Sequence, residues 1–109
     1  MSHAPQAPYF SEETYAAGNY MAVHRAVGDL IDFYNIQFYN QEQTRYDTYE
    51  TLFTVSGRWF HRTSIKEIHE RGVPLEKLVA GKPAAPEAAY NTGYMAPSDF
   101  KAAVERAYS

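Results

Sequence analysis

The segment from Ile31 to Asn40, Ile-Asp-Phe-Tyr-Asn-Ile-Gln-Phe-Tyr-Asn, constrains the fold more than any other stretch of this 109-residue chain. It is dense in aromatic and β-branched side chains, which fit a pleated, half-buried surface, and it predicts a strand. A period of two then places Phe33, Asn35, Gln37 and Tyr39 on one side, so polar groups project from a strand that is otherwise apolar. A shorter strand is expected over Leu75 to Gly81. A third is expected over Ser2 to Ala7, where it runs into Pro8, which has no amide to give a ladder.

Helical patterns separate these strands. Tyr20, Val23 and Val27 fall at i, i+3 and i+7, an apolar stripe ending near Gly28. Asp47 with Glu50, and Ser64 with Glu67, have the spacing at which a side-chain oxygen caps an N3 amide and the N3 carboxylate reaches back. The first of these helices is expected to stop at Gly57 and the second at Gly72, with Pro74 just beyond. From Pro97 to Tyr108, the residues Phe100, Ala103, Val104, Ala107 and Tyr108 share one helical face. Strands alternating with helices of this length imply right-handed βαβ units, a parallel sheet and a single folding unit. Such a sheet needs both faces covered and leaves two edges open, and three strands are few for that. A barrel of eight units takes about 250 residues, so the expected architecture is α/β, part of a (β/α)8 barrel. The Ala84 to Ala96 run, rich in Ala, Pro and Gly, becomes a loop on the barrel's functional, C-terminal face.

Composition removes several classes of function. A formal charge of −3 with scattered Lys and Arg provides no basic stripe, so no nucleic-acid partner is expected. Cysteine is absent, which excludes disulfides, a thiol nucleophile and thiolate metal sites. No stretch approaches 18 apolar residues and no leader pattern follows Met1, so no membrane partner is expected and the location stays open. His3, His24, His61 and His69 show no ligand spacing on one helix or strand face; they are expected at the surface, with no metal and no cofactor. The unusual figure is an aromatic fraction of 16%, with ten Tyr. A phenol ring offers a flat apolar face and a hydroxyl, suited to sugar rings, although most of the ten are expected to serve packing.

Three segments carry a resemblance to a known family: His3-Ala-Pro-Gln-Ala-Pro-Tyr9, Asp32-Phe-Tyr-Asn-Ile-Gln-Phe-Tyr-Asn-Gln41, and Val79-Ala-Gly-Lys-Pro-Ala-Ala-Pro-Glu-Ala-Ala89 followed by Gly93-Tyr94. Their order and separation resemble glycoside hydrolase family 18, in particular its hevamine-like chitinases, at the end of barrel strand five, strand six, and strand seven with its loop. On this resemblance residues 1–109 form an incomplete catalytic domain. The resemblance implies hydrolysis of β-1,4-linked N-acetylglucosamine polymers by a substrate-assisted retaining mechanism, with the substrate's acetamido oxygen as nucleophile. By the motif match Tyr39 is the tyrosine whose hydroxyl donates to that acetamido oxygen, and Gln37 contacts the bound sugar. Gln6, Asn40 and Tyr94 are further substrate-binding candidates. Chitin or its oligosaccharides are the implied partners, and the parent family is expected outside the cell.

The sequence also departs from the family. The acidic pattern Asp-x-x-Asp-x-Asp-x-Glu of strand four is missing, because the chain is expected to begin one strand later. Asp29-Leu-Ile-Asp32 matches its first half, but Tyr34 and Ile36 stand where the orienting aspartate and the proton donor belong. Glu87 falls in the loop after strand seven and is not the acid. Trp59 is expected on the barrel's outside, not as a sugar platform. The expectation is therefore a chitinase-like chain inactive alone. The alternatives are a non-catalytic chitin-oligosaccharide binding module, or a half-barrel that self-associates or takes a partner chain through its open sheet edges.

Overall fold

A computed structural model describes residues 1–57 and 59–108. Strands β1 (Ser2–His3), β2 (Phe33–Gln37) and β3 (Leu78–Gly81) form one sheet in the order β1-β2-β3. All pairings are parallel, with Ser2 opposite Phe33, Asn35 opposite Val79 and Gln37 opposite Gly81. The α/β class and the parallel sheet are as the sequence implies. The strands are shorter than expected. β1 covers two residues before Pro5, and Pro8 starts a 3₁₀ turn over Ala7–Phe10, although Gln6 still bridges Gln37. Another 3₁₀ turn, Leu75–Lys77, takes the first half of the last predicted strand, and Asn40 turns away at a φ of 59°.

Alternation along β2 decides which way the sheet faces. Tyr34, Ile36 and Phe38 are 0% exposed, whereas Phe33 on the opposite face is 40% exposed and Val79 on β3, opposite Asn35, is 43% exposed. The covered face is packed by helices α1 (Tyr20–Val27), α2 (Ile65–Glu70) and α3 (Pro97–Ala107), which contribute Met21, Ile68 and Ala103 to the core beside Phe10, Leu52 and Val73. Fully burying a side chain of this size is worth about 1.5–3 kcal/mol, so a one-residue slip of β2 would forfeit the whole arrangement.

The helices show where local rules held and where they failed. Ser64 and Glu67 form the complete capping box, and Gly72 adopts a φ of 126° just after α2. Asn19 caps α1, its side chain accepting from the Ala22 amide. The α1 stripe differs from Tyr20, Val23, Val27: Val27 is largely exposed, and Met21 is buried instead. The reason is Tyr34, whose hydroxyl meets His24 Nδ1 at 2.9 Å and whose ring packs edge-on against Tyr20. The helix predicted from Asp47 to Gly57 does not form. Asp47 pairs with Arg45 rather than capping, Thr48 and Thr51 exchange side-chain to backbone bonds, and only a π-turn over Glu50–Thr54 results. Three threonines in this run favour such local bonds over continued helix.

Arg71 follows α2 with a side chain 0% exposed. Its guanidinium donates to the carbonyls of Arg62 and His61 and to the Glu13 carboxylate, joining three segments. The Arg71 bond, the Glu13 backbone and Ser11 hold the Glu13 carboxyl down at about 2. Arg71→Met removes the donor shared by the Arg62 and His61 carbonyls and the Glu13 carboxylate, a loss of about 1–3 kcal/mol that a thermal melt will register as a fall of several degrees or more. Because the folded pKa is depressed, the stabilisation from Glu13 is complete above the ordinary glutamate range and disappears as pH falls through about 2. The gap in Tm between wild type and Glu13→Gln is expected to close as pH drops from about 5 to about 2.

Candidate functional site at the carboxyl end of the sheet

The carboxyl ends of parallel strands collect the loops on which function is built, and here three of the five predicted site residues lie at the end of β2 or in the chain beside it. Gln37 ends β2, half-buried, on the open face. Its amide nitrogen donates to the Ala4 carbonyl at 2.6 Å, and its backbone N–H to Pro5 at 2.8 Å, which fastens the end of β2 to the chain after β1. Gln6 lies in that chain, and its side-chain oxygen accepts from Gln41 at 2.7 Å. Gln41 also donates to the Tyr39 carbonyl at 3.2 Å. Tyr39 lies two residues beyond Gln37, half-buried, and continues its side of the strand.

The remaining two residues sit on the interlocked loops after β2 and β3. The Asn40 amide donates to the Thr92 carbonyl at 2.7 Å, and its side-chain oxygen accepts from the Asn91 amide at 3.2 Å. The side chain of Asn40 therefore ties one loop to the other. Thr92 Oγ1 returns to the Glu42 carbonyl at 2.6 Å. Gly93, at a φ of 101°, presses its backbone onto Tyr39: a Cβ there would stand 2.5 Å from Tyr39 Cα. Tyr94 follows directly and is half-buried. Asn40, Glu42 and Tyr46 all have positive φ, a concentration of strained backbone in the loop after β2.

Sequence reasoning missed the residue at the centre of this arrangement. Lys82 donates to the carbonyls of Phe38 at 2.6 Å, Tyr46 at 2.7 Å and Gly93 at 2.7 Å. Burial pulls its ammonium down to about 7, with the Asp47 carboxylate opposing the shift. The signal was a lone charge in the otherwise apolar run Leu78 to Pro83. Gln41 was missed too; it is 8% exposed and links Gln6 to Tyr39.

The acidic half-match resolves cleanly. Tyr34 and Ile36 point into the core, on the face opposite Gln37, while Asp32 is exposed and pairs with the amino terminus. Glu87 is exposed within a 3₁₀ turn, Pro86–Ala88. Trp59 is 57% exposed. The expectation of surface histidines needs correction at two positions: His3 and His24 are half-buried and meet the Tyr20 and Tyr34 hydroxyls, whereas His61 and His69 are exposed, His69 bonding the Val73 carbonyl. Aromatic neighbours supply partners that ligand spacing does not anticipate. Burial holds His24 below the usual histidine range. Among the described residues no group of three or more His, Asp or Glu is placed to hold a metal, and no helix is long and apolar enough to cross a membrane. A separate groove of ≈ 550 Å³ lies between β3, α2 and α3, lined by Phe53, Ile65, Leu78, Phe100, Val104 and Tyr108, away from Gln37 and Tyr39.

Gly93→Ala tests the contact beneath Tyr39. The added methyl meets backbone rather than a flexible side chain, in a conformation that L residues rarely adopt, so the two loops must separate. A loss of about 1–3 kcal/mol in a denaturant melt is expected, together with amide shifts centred on Tyr39 and Thr92.

No family model matches the chain, and no curated protein matches it. A solved structure does: a GH18 chitinase from Pseudoalteromonas aurantia, with a TM-score of 0.62 and 31% sequence identity over 87% of this chain. The match covers 31% of the chitinase, so this chain spans about a third of that protein's length. The three-stranded parallel sheet and its helices thus form an α/β fold similar to part of a GH18 chitinase barrel.

Proposed function

We propose that residues 1–109 are an incomplete family 18 catalytic domain of the hevamine-like kind, equivalent to barrel strands five to seven, and that the chain binds N-acetylglucosamine oligosaccharides of chitin without cleaving them unaided. This reading is supported by Gln37 closing β2 on its open face with the half-buried Tyr39 two residues further on, in a chain 31% identical to a GH18 chitinase over 87% of its length. Tyr39 serves as donor to the acetamido oxygen. A neutral phenol supports that carbonyl as its charge develops without itself becoming the nucleophile. Gln37 is suited to a sugar hydroxyl or amide: its bond to Ala4 fixes the side chain and uses one of two N–H donors, and its carbonyl is an acceptor.

Hydrolysis needs a proton donor for the leaving oxygen, and loss of a general acid removes about 10² to 10⁴ in rate. The sequence contains no Asp-x-x-Asp-x-Asp-x-Glu, and its nearest half-match points Tyr34 and Ile36 into the core. Substrate-assisted cleavage therefore belongs to a barrel in which another polypeptide segment brings the acid.

Calorimetric titration with N-acetylglucosamine tetramer tests the reading. Wild-type protein is expected to bind and to release no new reducing ends, and Tyr39→Phe to weaken binding about 2- to 12-fold, the worth of one hydrogen bond. Absence of binding, or equal binding by Tyr39→Phe, would sink it.

A second reading, assembly as a half-barrel with a partner chain or another copy, is favoured by Phe33 and Val79 standing open on a parallel sheet, a class usually covered on both faces. Sedimentation would then show a dimer, or activity would emerge only on adding a chain that carries the acidic strand. A monomer inert in every mixture would argue against it.

A further inference from the structure

Lys82 directly follows β3, and its ammonium reaches carbonyls in three different segments: Phe38 at the end of β2, Tyr46 in the loop after β2, and Gly93 in the loop after β3. An ammonium has three N–H donors, and these acceptors use all of them. Two of the acceptors touch the site residue Tyr39 directly. Phe38 precedes it in the chain, and Gly93 lies against its Cα. The third, Tyr46, has left-handed backbone at a φ of 54°, unusual for a bulky residue, and its buried hydroxyl is held by Thr63 at 2.7 Å. Loops ordinarily move, because fixing one residue's backbone costs about 1–2 kcal/mol of entropy. Here charge-assisted bonds gather both loops at one part-buried ammonium whose acceptors Phe38 and Gly93 adjoin Tyr39.

We propose that Lys82 is a positioning residue of the sugar site, its ammonium clamping the Phe38, Tyr46 and Gly93 carbonyls and so setting the orientation of Tyr39 and of Tyr94. The role rests on the reading of Tyr39 as the acetamide donor. Two opposing influences act on the clamp's charge: burial disfavours it, while the Asp47 carboxylate favours it. A neutral amine has two N–H donors, so the clamp holds all three segments only as the ammonium.

Three variants separate positioning from general support. Lys82→Met keeps the stem and removes every donor, Lys82→Gln keeps two donors, and Lys82→Arg keeps the charge. In ligand-free protein, Lys82→Met is expected to shift the ring resonances of Tyr39 and to speed exchange of the Asn40 amide, bonded to Thr92, about tenfold or more. Exchange of the Tyr34 and Ile36 amides inside the sheet is expected to stay near wild type. Affinity for N-acetylglucosamine tetramer falls about tenfold, and Lys82→Arg recovers part of it. Unchanged Tyr39 resonances and Asn40 exchange in Lys82→Met would overturn the proposal, as would equal acceleration across the whole sheet. Should Lys82→Met not fold, Lys82→Gln carries the same comparison. If wild-type protein does not bind the oligomer, the sugar reading alone falls, and the ligand-free comparison still decides whether Lys82 orients Tyr39.

Discussion

The two-residue period of β2 is the constraint on which the rest of the molecule depends. With Tyr34, Ile36 and Phe38 turned inward, each of the three helices has an apolar surface to cover, and the core closes around Met21, Leu52, Ile68 and Val73. The same period turns Phe33, Asn35 and Gln37 to the other side. Packing and chemistry are thereby divided between the two faces of one strand, and a change of register would exchange them. The aromatic richness of the chain follows the same division. Phe10, Tyr20, Tyr34 and His24 form a continuous ring cluster under the sheet, edge-to-face except for the tilted Phe10–Tyr20 pair, so Tyr20 and Tyr34 serve packing.

At the carboxyl end, backbone polar groups with no ladder partner must find others, and they do so through side chains. Gln37 and Gln41 fasten the chain after β1, Asn40 and Thr92 fasten one loop to the other, and Lys82 collects carbonyls from both loops and from β2. This network holds a run of residues with positive φ that would otherwise relax. Order in the loops is thus built from directional bonds, whereas order in the helices is built from burial. The two halves of the structure answer to different physics: core substitutions are felt as lost volume, and loop substitutions as unpaired carbonyls.

The likeness to a chitinase has a definite scope. It spans most of this chain and about a third of the chitinase, and it accounts for an α/β arrangement with an open face and open edges. In a closed barrel further strands pair with such edges, and the inner face turns toward the interior.

What the sequence determined by itself was local and periodic. The strand around Phe33 to Gln37, the capping box at Ser64, the stop at Gly72 and the helix from Pro97 each depend on residues within a few positions of one another. The failed helix after Asp47 and the exposed Val27 show the limit of that reasoning, since Arg45, the threonines and Tyr34 offered competing partners. Within the candidate site, motif and alternation located Gln37 and Tyr39. The tertiary structure alone decided that Gln6 meets Gln41, that Asn40 joins two loops and that Lys82 gathers three carbonyls, because each contact spans eleven to fifty-one positions. A charge in an apolar run announces that it needs partners. Only the folded chain shows which carbonyls are near enough to be them.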